Sequence, residues 1–215
     1  MPVIPEQFLF RVAYPCPYVK DIPRTTTDCL LDLPEPARIE RFAEGKHFAN
    51  VYLAWNEIGI GLQLEVMGKD KPVQGEVARP RDSDGITFWL DTRGDRTSHR
   101  ASRFCHQFHF LAAGGGSDLD EPVFVQSKIH RALQEAPPLS SQDVLLRRSR
   151  RKGGYLLEAF LPANGLSGFD PDQNTRLGFY YAVRDQELGD QVLSVGSEFP
   201  FWEDPSLWST LQLVR

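Results

Sequence analysis

The chain has 215 residues, 41% hydrophobic and 25% charged, with a formal net charge of −5. This is the composition of a soluble globular protein, long enough to bury a core without disulfides and better suited to one large all-β domain than to two small ones. The acidic balance argues against nucleic acid as the main partner, and no stretch approaches the ~20 apolar residues of a membrane span. The N-terminus, MPVIPEQFLF, has no basic n-region and no apolar run of signal-peptide length, so the chain as given reads as cytoplasmic. Cys16, Cys29 and Cys105 make an odd count with no CxxC pair. That is no disulfide framework; three reduced, mostly buried thiols are expected, with a Cys16–Cys29 bridge as the alternative.

Phe8 to Tyr14 alternates apolar residues and reads as a first strand, broken by Pro15, Pro17 and Pro23. A short strand is expected at Asp28–Leu33, and one or two helical turns at Glu35–Glu44. Phe48–Trp55 and Ile58–Met67 form the clearest hairpin, joined at Asn56-Glu57. In its second strand Ile58, Ile60, Leu62, Leu64 and Val66 share one face. Gly59, Gly61, Gln63 and Glu65 share the other and leave a shallow surface, for a close-packed loop or for a ligand groove. Gly68–Asp82 is polar loop.

Gly85–Asp91 alternates Ile86, Phe88 and Leu90 against Thr87, Trp89 and Asp91. Phe104–Leu111 alternates Phe104, His106, Phe108 and Phe110 against Cys105, Gln107, His109 and Leu111, and a Gly114-Gly115-Gly116 turn follows. Pro122–His130 and Val144–Lys152 read as strands around a Pro137-Pro138 loop, and Gly154–Leu161 as a hairpin partner. After a loop at Pro162–Thr175, with room for one helical turn, Arg176–Arg184 is a strong strand with Leu177, Phe179, Tyr181 and Val183 inward. A short strand within Glu187–Glu198 and a last strand at Leu207–Val214 complete the chain. About ten or eleven short strands with almost no helix mean an all-β fold, a β-sandwich or barrel, in a single domain spanning 1–215.

No nucleophile elbow, Ser/Cys–His signature, HExxH, P-loop or GxGxxG occurs, so no catalytic activity is expected. Cys105, Gln107 and His109 alternate along one strand face. Side chains two apart on a strand start roughly 6.5–7 Å apart. Zinc needs donors at ~2.0–2.3 Å, so Cys105 and His109 cannot chelate unaided. Asp82, Asp84, Asp91 and Asp95 flank one strand, as turn caps or as oxygen donors for calcium. Asp170-Pro171-Asp172-Gln173-Asn174 starts like a calcium loop but lacks the Gly and Glu of an EF-hand. Arg147-Arg148-Ser149-Arg150-Arg151-Lys152 reads as an edge strand defended by charge.

The strand pair VYLAWNEIGIGLQLEV is followed in order by DSDGITFWLDTRGD, YLLEAFLPANGLSGFDPDQNTRLGFYYAVRD and FPFWEDPSLWSTLQL. This succession resembles the family 9 carbohydrate-binding modules and the related DOMON-like β-sandwiches, over roughly residues 45–215. Tyr155, Glu158, Pro162, Leu166, Pro171, Gly178, Phe179, Asp185, Trp202 and Trp208 carry the likeness, and residues 1–45 match it less well. The resemblance implies an antiparallel two-sheet, jelly-roll-like sandwich that binds carbohydrate without catalysis, with aromatic rings clamping a pyranose.

Trp202 matches the C-terminal clamping aromatic, whereas the loop Ala78-Arg79-Pro80-Arg81 lacks the second one. Arg81 and Asp84 are placed to bond sugar hydroxyls, and Trp89 is a stacking platform or a packed core residue. The face with Gln107 and His109 is the next place to look. Structural calcium, carried by some members, is the cofactor implied. Haem between Met67 and His130 or His109, as in some DOMON-like relatives, is an alternative; a structural or protein-partner role is another.

Overall fold

The computed structural model describes residues 12–24, 29–41 and 45–215. Among the described residues eleven strands form two sheets. They are β1 (Ala13–Pro17), β2 (Ala49–Asn56), β3 (Gly59–Met67), β4 (Gly85–Asp91), β5 (Cys105–Gly115), β6 (Glu121–Ser127), β7 (Leu145–Arg151), β8 (Gly154–Pro162), β9 (Arg176–Asp185), β10 (Gly189–Val192) and β11 (Ser209–Val214). One sheet runs β1-β11-β9-β4-β5-β6, with β10 also on β9. The other runs β2-β3-β8-β7. Only short 3-10 turns interrupt the strands, and no helix among the described residues is long and apolar enough to cross a membrane.

The alternation read from the sequence sets the inner faces. Ile60, Leu62, Leu64 and Val66 of β3 meet Ile86, Phe88 and Leu90 of β4, Phe108 and Phe110 of β5, and Leu177, Phe179, Tyr181 and Val183 of β9 in one buried core. Each buried Phe or Leu contributes roughly 1.5–3 kcal/mol by leaving water. All ladders are antiparallel except β1 with β11, which is parallel. The sandwich is therefore not wholly antiparallel.

Several local expectations change. Residues 1–11 lie outside the described residues, and β1 continues through Pro15 and ends at Pro17 instead of breaking at Pro15. It is the edge strand of its sheet, where one side of the backbone needs no partner. Residues 29–33 form no strand. Glu158 Oε1, buried on the outer face of β8, accepts from the backbone N–H groups of Leu30, Leu31 and Asp32 at 3.1, 2.8 and 3.4 Å. A side chain thus takes the donors a ladder would have taken.

The expected helical turns reduce to a 3-10 turn at Glu35–Ala37, with residues 42–44 outside the described ones. The glycines after Leu111 belong largely to β5, which runs to Gly115 through a register shift instead of turning at Gly114.

The glycine face of β3 is covered by a loop. A Cβ on Gly61 would stand 3.1 and 3.2 Å from methyls of Leu31 and Ile22. These pack with Tyr52, Ala54 and Phe160 in a second apolar cluster. β7 is indeed the edge of its sheet. The three cysteines are free thiols.

Candidate functional site

One edge of β9 is shared. Val192 of β10 pairs with Ala182, and Ser209 of β11 pairs with Phe179. Between these two strands, residues 193–208 leave the sheet and fold back over its outer face. That face carries Thr87 and Trp89 of β4, opposite His109 and Gln107 of β5 and Ala182 and Tyr180 of β9. Tyr180 stacks on Phe201 at 4.4 Å, Trp89 meets Phe201 edge-on at 5.6 Å, and Phe201 meets Trp202 edge-on at 5.5 Å. Each such ring pair adds about 0.5–1.5 kcal/mol beyond area. An aromatic row thus leads from the buried sheet face to the half-exposed Trp202.

Hydrogen bonds pin the segment. The Trp208 indole donates to the Phe201 carbonyl at 2.8 Å, and the Tyr180 hydroxyl donates to the Val195 carbonyl. His130 lies 2.6 Å from Glu203, and His99 lies 3.0 Å from Asp204.

The resulting pocket has a volume of about 400 Å³ and is lined by Trp202, Phe201, Trp89, Arg81, Arg184, Asp190 and Glu198 among others. Arg184 Nη1 donates to both oxygens of Asp190 at 2.7 Å. Arg81 as a whole residue is exposed, but its guanidinium is partly buried: Nη2 donates to buried Gln107 Oε1 at 3.3 Å, and burial lowers its pKa. The same oxygen accepts from Trp89 Nε1 at 3.0 Å.

Behind it, Gln107 Nε2 and Ser127 Oγ each lie 3.0 Å from His109 Nε2, and Thr87 Oγ1 lies 2.9 Å from His109 Nδ1. Burial, with the Arg81 charge adding to it, pushes His109 down to about 4. The ring is neutral at pH 7, so it can accept at one nitrogen and donate at the other.

Three of the residues singled out from the sequence, Trp202, Trp89 and Arg81, therefore line one pocket. Gln107 and His109 do not line it; both are fully buried, Gln107 bracing Arg81 and Trp89 from beneath and His109 lying against Gln107.

Asp84 is corrected outright as a sugar contact. It is 0% exposed and holds Lys69 Nζ at 3.1 Å. It also accepts from the backbone N–H groups of Gln74 at 2.9 Å and Gln186 at 2.6 Å. A carboxylate so engaged fastens loops. Burial opposes the Lys69 charge, but its bonds to Asp185 and Asp84 outweigh that and raise its pKa.

Sequence reasoning passed over Arg184, Asp190, Glu198 and Phe201. Arg184 was within reach, because it alternates with the inward Val183 and so shares a face with Ala182.

The aspartates around β4 act as caps. Asp91 accepts from the backbone N–H groups of Arg93 and Asp95 at 3.0 and 2.9 Å, and Asp95 from that of Thr97 at 3.0 Å. Asp84 and Asp91 sit at opposite ends of β4. No group of three or more His, Cys, Asp or Glu that could hold a metal ion occurs among the described residues. Met67 is 40% exposed and points outward from β3, while His109 faces outward on the opposite sheet, so these two do not meet across a haem.

A larger cavity of about 580 Å³ lies beside β6. Its one ring, Phe124, is a buried core residue, and the Gln126 amide is committed to Pro137 O and the Leu139 N–H. It offers no platform comparable to Trp202.

No family model matches the sequence, and no curated protein matches it. The fold does match solved structures. One is a carbohydrate-binding module of family 9 from Caldicellulosiruptor kristjanssonii in complex with cellotriose, at TM-score 0.65 and 16% identity, covering 94% of this chain and 93% of that one. A second is a family 9 module from the same organism in complex with glucose, at TM-score 0.64 and 16% identity, covering 94% and 96%. At this identity the likeness is one of architecture: the chain has the β-sandwich fold seen in family 9 carbohydrate-binding modules.

Proposed function

We propose that the protein is a non-catalytic carbohydrate-binding module whose ligand lies in the outer-face pocket. The observation that carries this reading is the convergence of Trp202 and Arg81 in one pocket of about 400 Å³. A sugar ring presents C–H groups on its faces and hydroxyls at its rim. The half-exposed indole of Trp202 offers an apolar platform for the former. Arg81 offers donors for the latter, and charge-assisted bonds are roughly twice as strong as neutral ones.

Burial already disfavours the Arg81 cation, and no carboxylate pairs with it among the described residues. A ligand oxygen therefore improves its surroundings. The Arg184–Asp190 pair and Glu198 add donors and acceptors to the lining. Such a mixture of one apolar face and a few aimed polar groups is the usual make-up of a small-ligand site.

The fold is shared with modules solved with glucose and cellotriose, and these are the first ligands to try. Isothermal titration of glucose, cellotriose and a panel of other oligosaccharides tests the reading. Saturable one-site binding is expected for at least one of them. The absence of saturable heat across the panel at millimolar ligand overturns it.

A further inference from the structure

A second pocket, of about 390 Å³, opens where the β7–β8 hairpin meets the loop after β3. Its charged lining consists of Lys69, Lys71, Arg148, Arg150 and Arg151 against Asp70 and Asp120. Lys69 is closed off: Asp185 and Asp84 hold it at 3.0 and 3.1 Å, and Glu187 lies at 3.8 Å. That inner group carries surplus negative charge, so the depth of the pocket repels anions.

The rim is the reverse. Four cations remain there against two carboxylates, on a chain whose net charge is −5. Asp120 is shared by Arg148 at 2.9 Å and Arg150 at 3.0 Å. Arg148 is fixed: its side chain is 7% exposed and also donates to the Ala112 carbonyl at 2.7 Å, tying the edge of one sheet to the other. Arg150 is 81% exposed and uses one end of its fork on Asp120. Lys71 and Arg151 make no ion pair among the described residues.

Edge-strand protection accounts for charge on β7. It does not account for Arg148 and Arg150, which share one face of β7 and meet on Asp120, standing at one concavity with Lys71 from a separate loop.

We propose that this rim binds a single oxyanion group, a carboxylate, sulfate or phosphate, through Arg150 and Lys71. The end of the Arg150 fork not used on Asp120 offers a charge-assisted bond to such a group, and the flexible Lys71 ammonium supplies a second. The site is separate from the outer-face pocket and does not depend on the carbohydrate reading.

The test is titration at low ionic strength with sodium sulfate, sodium phosphate, glucose 6-phosphate and oligogalacturonate. The wild-type protein and the Arg150→Gln/Lys71→Gln and Trp202→Ala variants are compared. Both side chains are exposed, so the double variant is expected to fold, as circular dichroism will confirm. Saturable binding is expected in the wild type. It should weaken about tenfold or more in the double variant, fade as salt is raised, and persist in Trp202→Ala. Equal affinity for inorganic and sugar-borne anions assigns the site to free oxyanions, and preference for the latter to an acidic glycan. No saturable binding of any of the four, or binding unchanged by the double substitution, overturns the proposal.

Discussion

The Trp89 indole N–H donates to Gln107 Oε1 over 3.0 Å, from β4 to its neighbour β5. The same oxygen accepts from Arg81 at 3.3 Å. One buried amide therefore satisfies a core indole and orients a pocket cation. In Gln107→Leu the indole N–H has no acceptor in a buried setting, which costs about 1–3 kcal/mol. Urea unfolding should show that loss, and any sugar ligand should bind more weakly because Arg81 is released. Unchanged stability would show that the amide is not needed.

Glu158 does for the 29–33 loop what Gln107 does for the pocket. Its Oε1 gathers the backbone N–H groups of Leu30, Leu31 and Asp32. Glu158→Ala removes the shared acceptor and should cost about 1–3 kcal/mol. Amide exchange at Leu30 and Leu31 should accelerate more than at Phe88 in the core. Glu158→Gln keeps one acceptor oxygen and should lose less. Equal protection in all three proteins would contradict this role.

Stability should fall with acid in a defined window. Burial lowers His106 and His109 from 6.5 to about 4. A depressed histidine takes up its proton more readily when unfolded. Its stabilising contribution is thus fully present above pH 6.5 and is lost as pH falls through about 4. The two together are worth on the order of 7 kcal/mol at the acid limit, because each tenfold change in proton affinity corresponds to about 1.4 kcal/mol. Unfolding free energies measured at pH 7, 5.5 and 4.5 should decline, and His109→Gln should flatten part of the decline. A flat profile would show that neither ring is so buried.

Burial, with the Asp91 charge adding to it, pushes the Cys105 thiol up to about 12, and burial raises Cys16 as well. Thiolate is the reactive form, so both should be inert toward Ellman's reagent in the native protein and should react on unfolding. Rapid native reaction of more than one thiol would contradict the packing.

The inner faces were legible because period-2 alternation is a local property. Ile86, Phe88 and Leu90 needed only their neighbours in sequence to be placed. The outer face was read as polar because Gln107 and His109 are polar residues. Its burial comes from residues 193–208, nearly a hundred positions away, and a covering loop leaves no period. Trp202 came from resemblance and from its setting in an FPFW segment, whereas Arg184 needed only the alternation of β9. Asp84 misled for a related reason: an Asp before a strand looks like a turn cap or a ligand group. Nothing local reveals that Lys69 and the Gln186 N–H arrive to hold it. Glu158 likewise stood in the sequence only as a motif position, and its three amide donors come from more than 120 residues upstream.

The central claim is that Trp202 is the anchor of a sugar site on the outer face. The most direct measurement is the dissociation constant of the best ligand from the oligosaccharide panel for wild-type protein and Trp202→Ala, with folding checked by circular dichroism. Removal of an anchoring aromatic typically costs about 2 kcal/mol, so weakening on the order of 30-fold is predicted with the fold intact. Equal affinity in the two proteins would contradict the account and make Trp202 a packing residue.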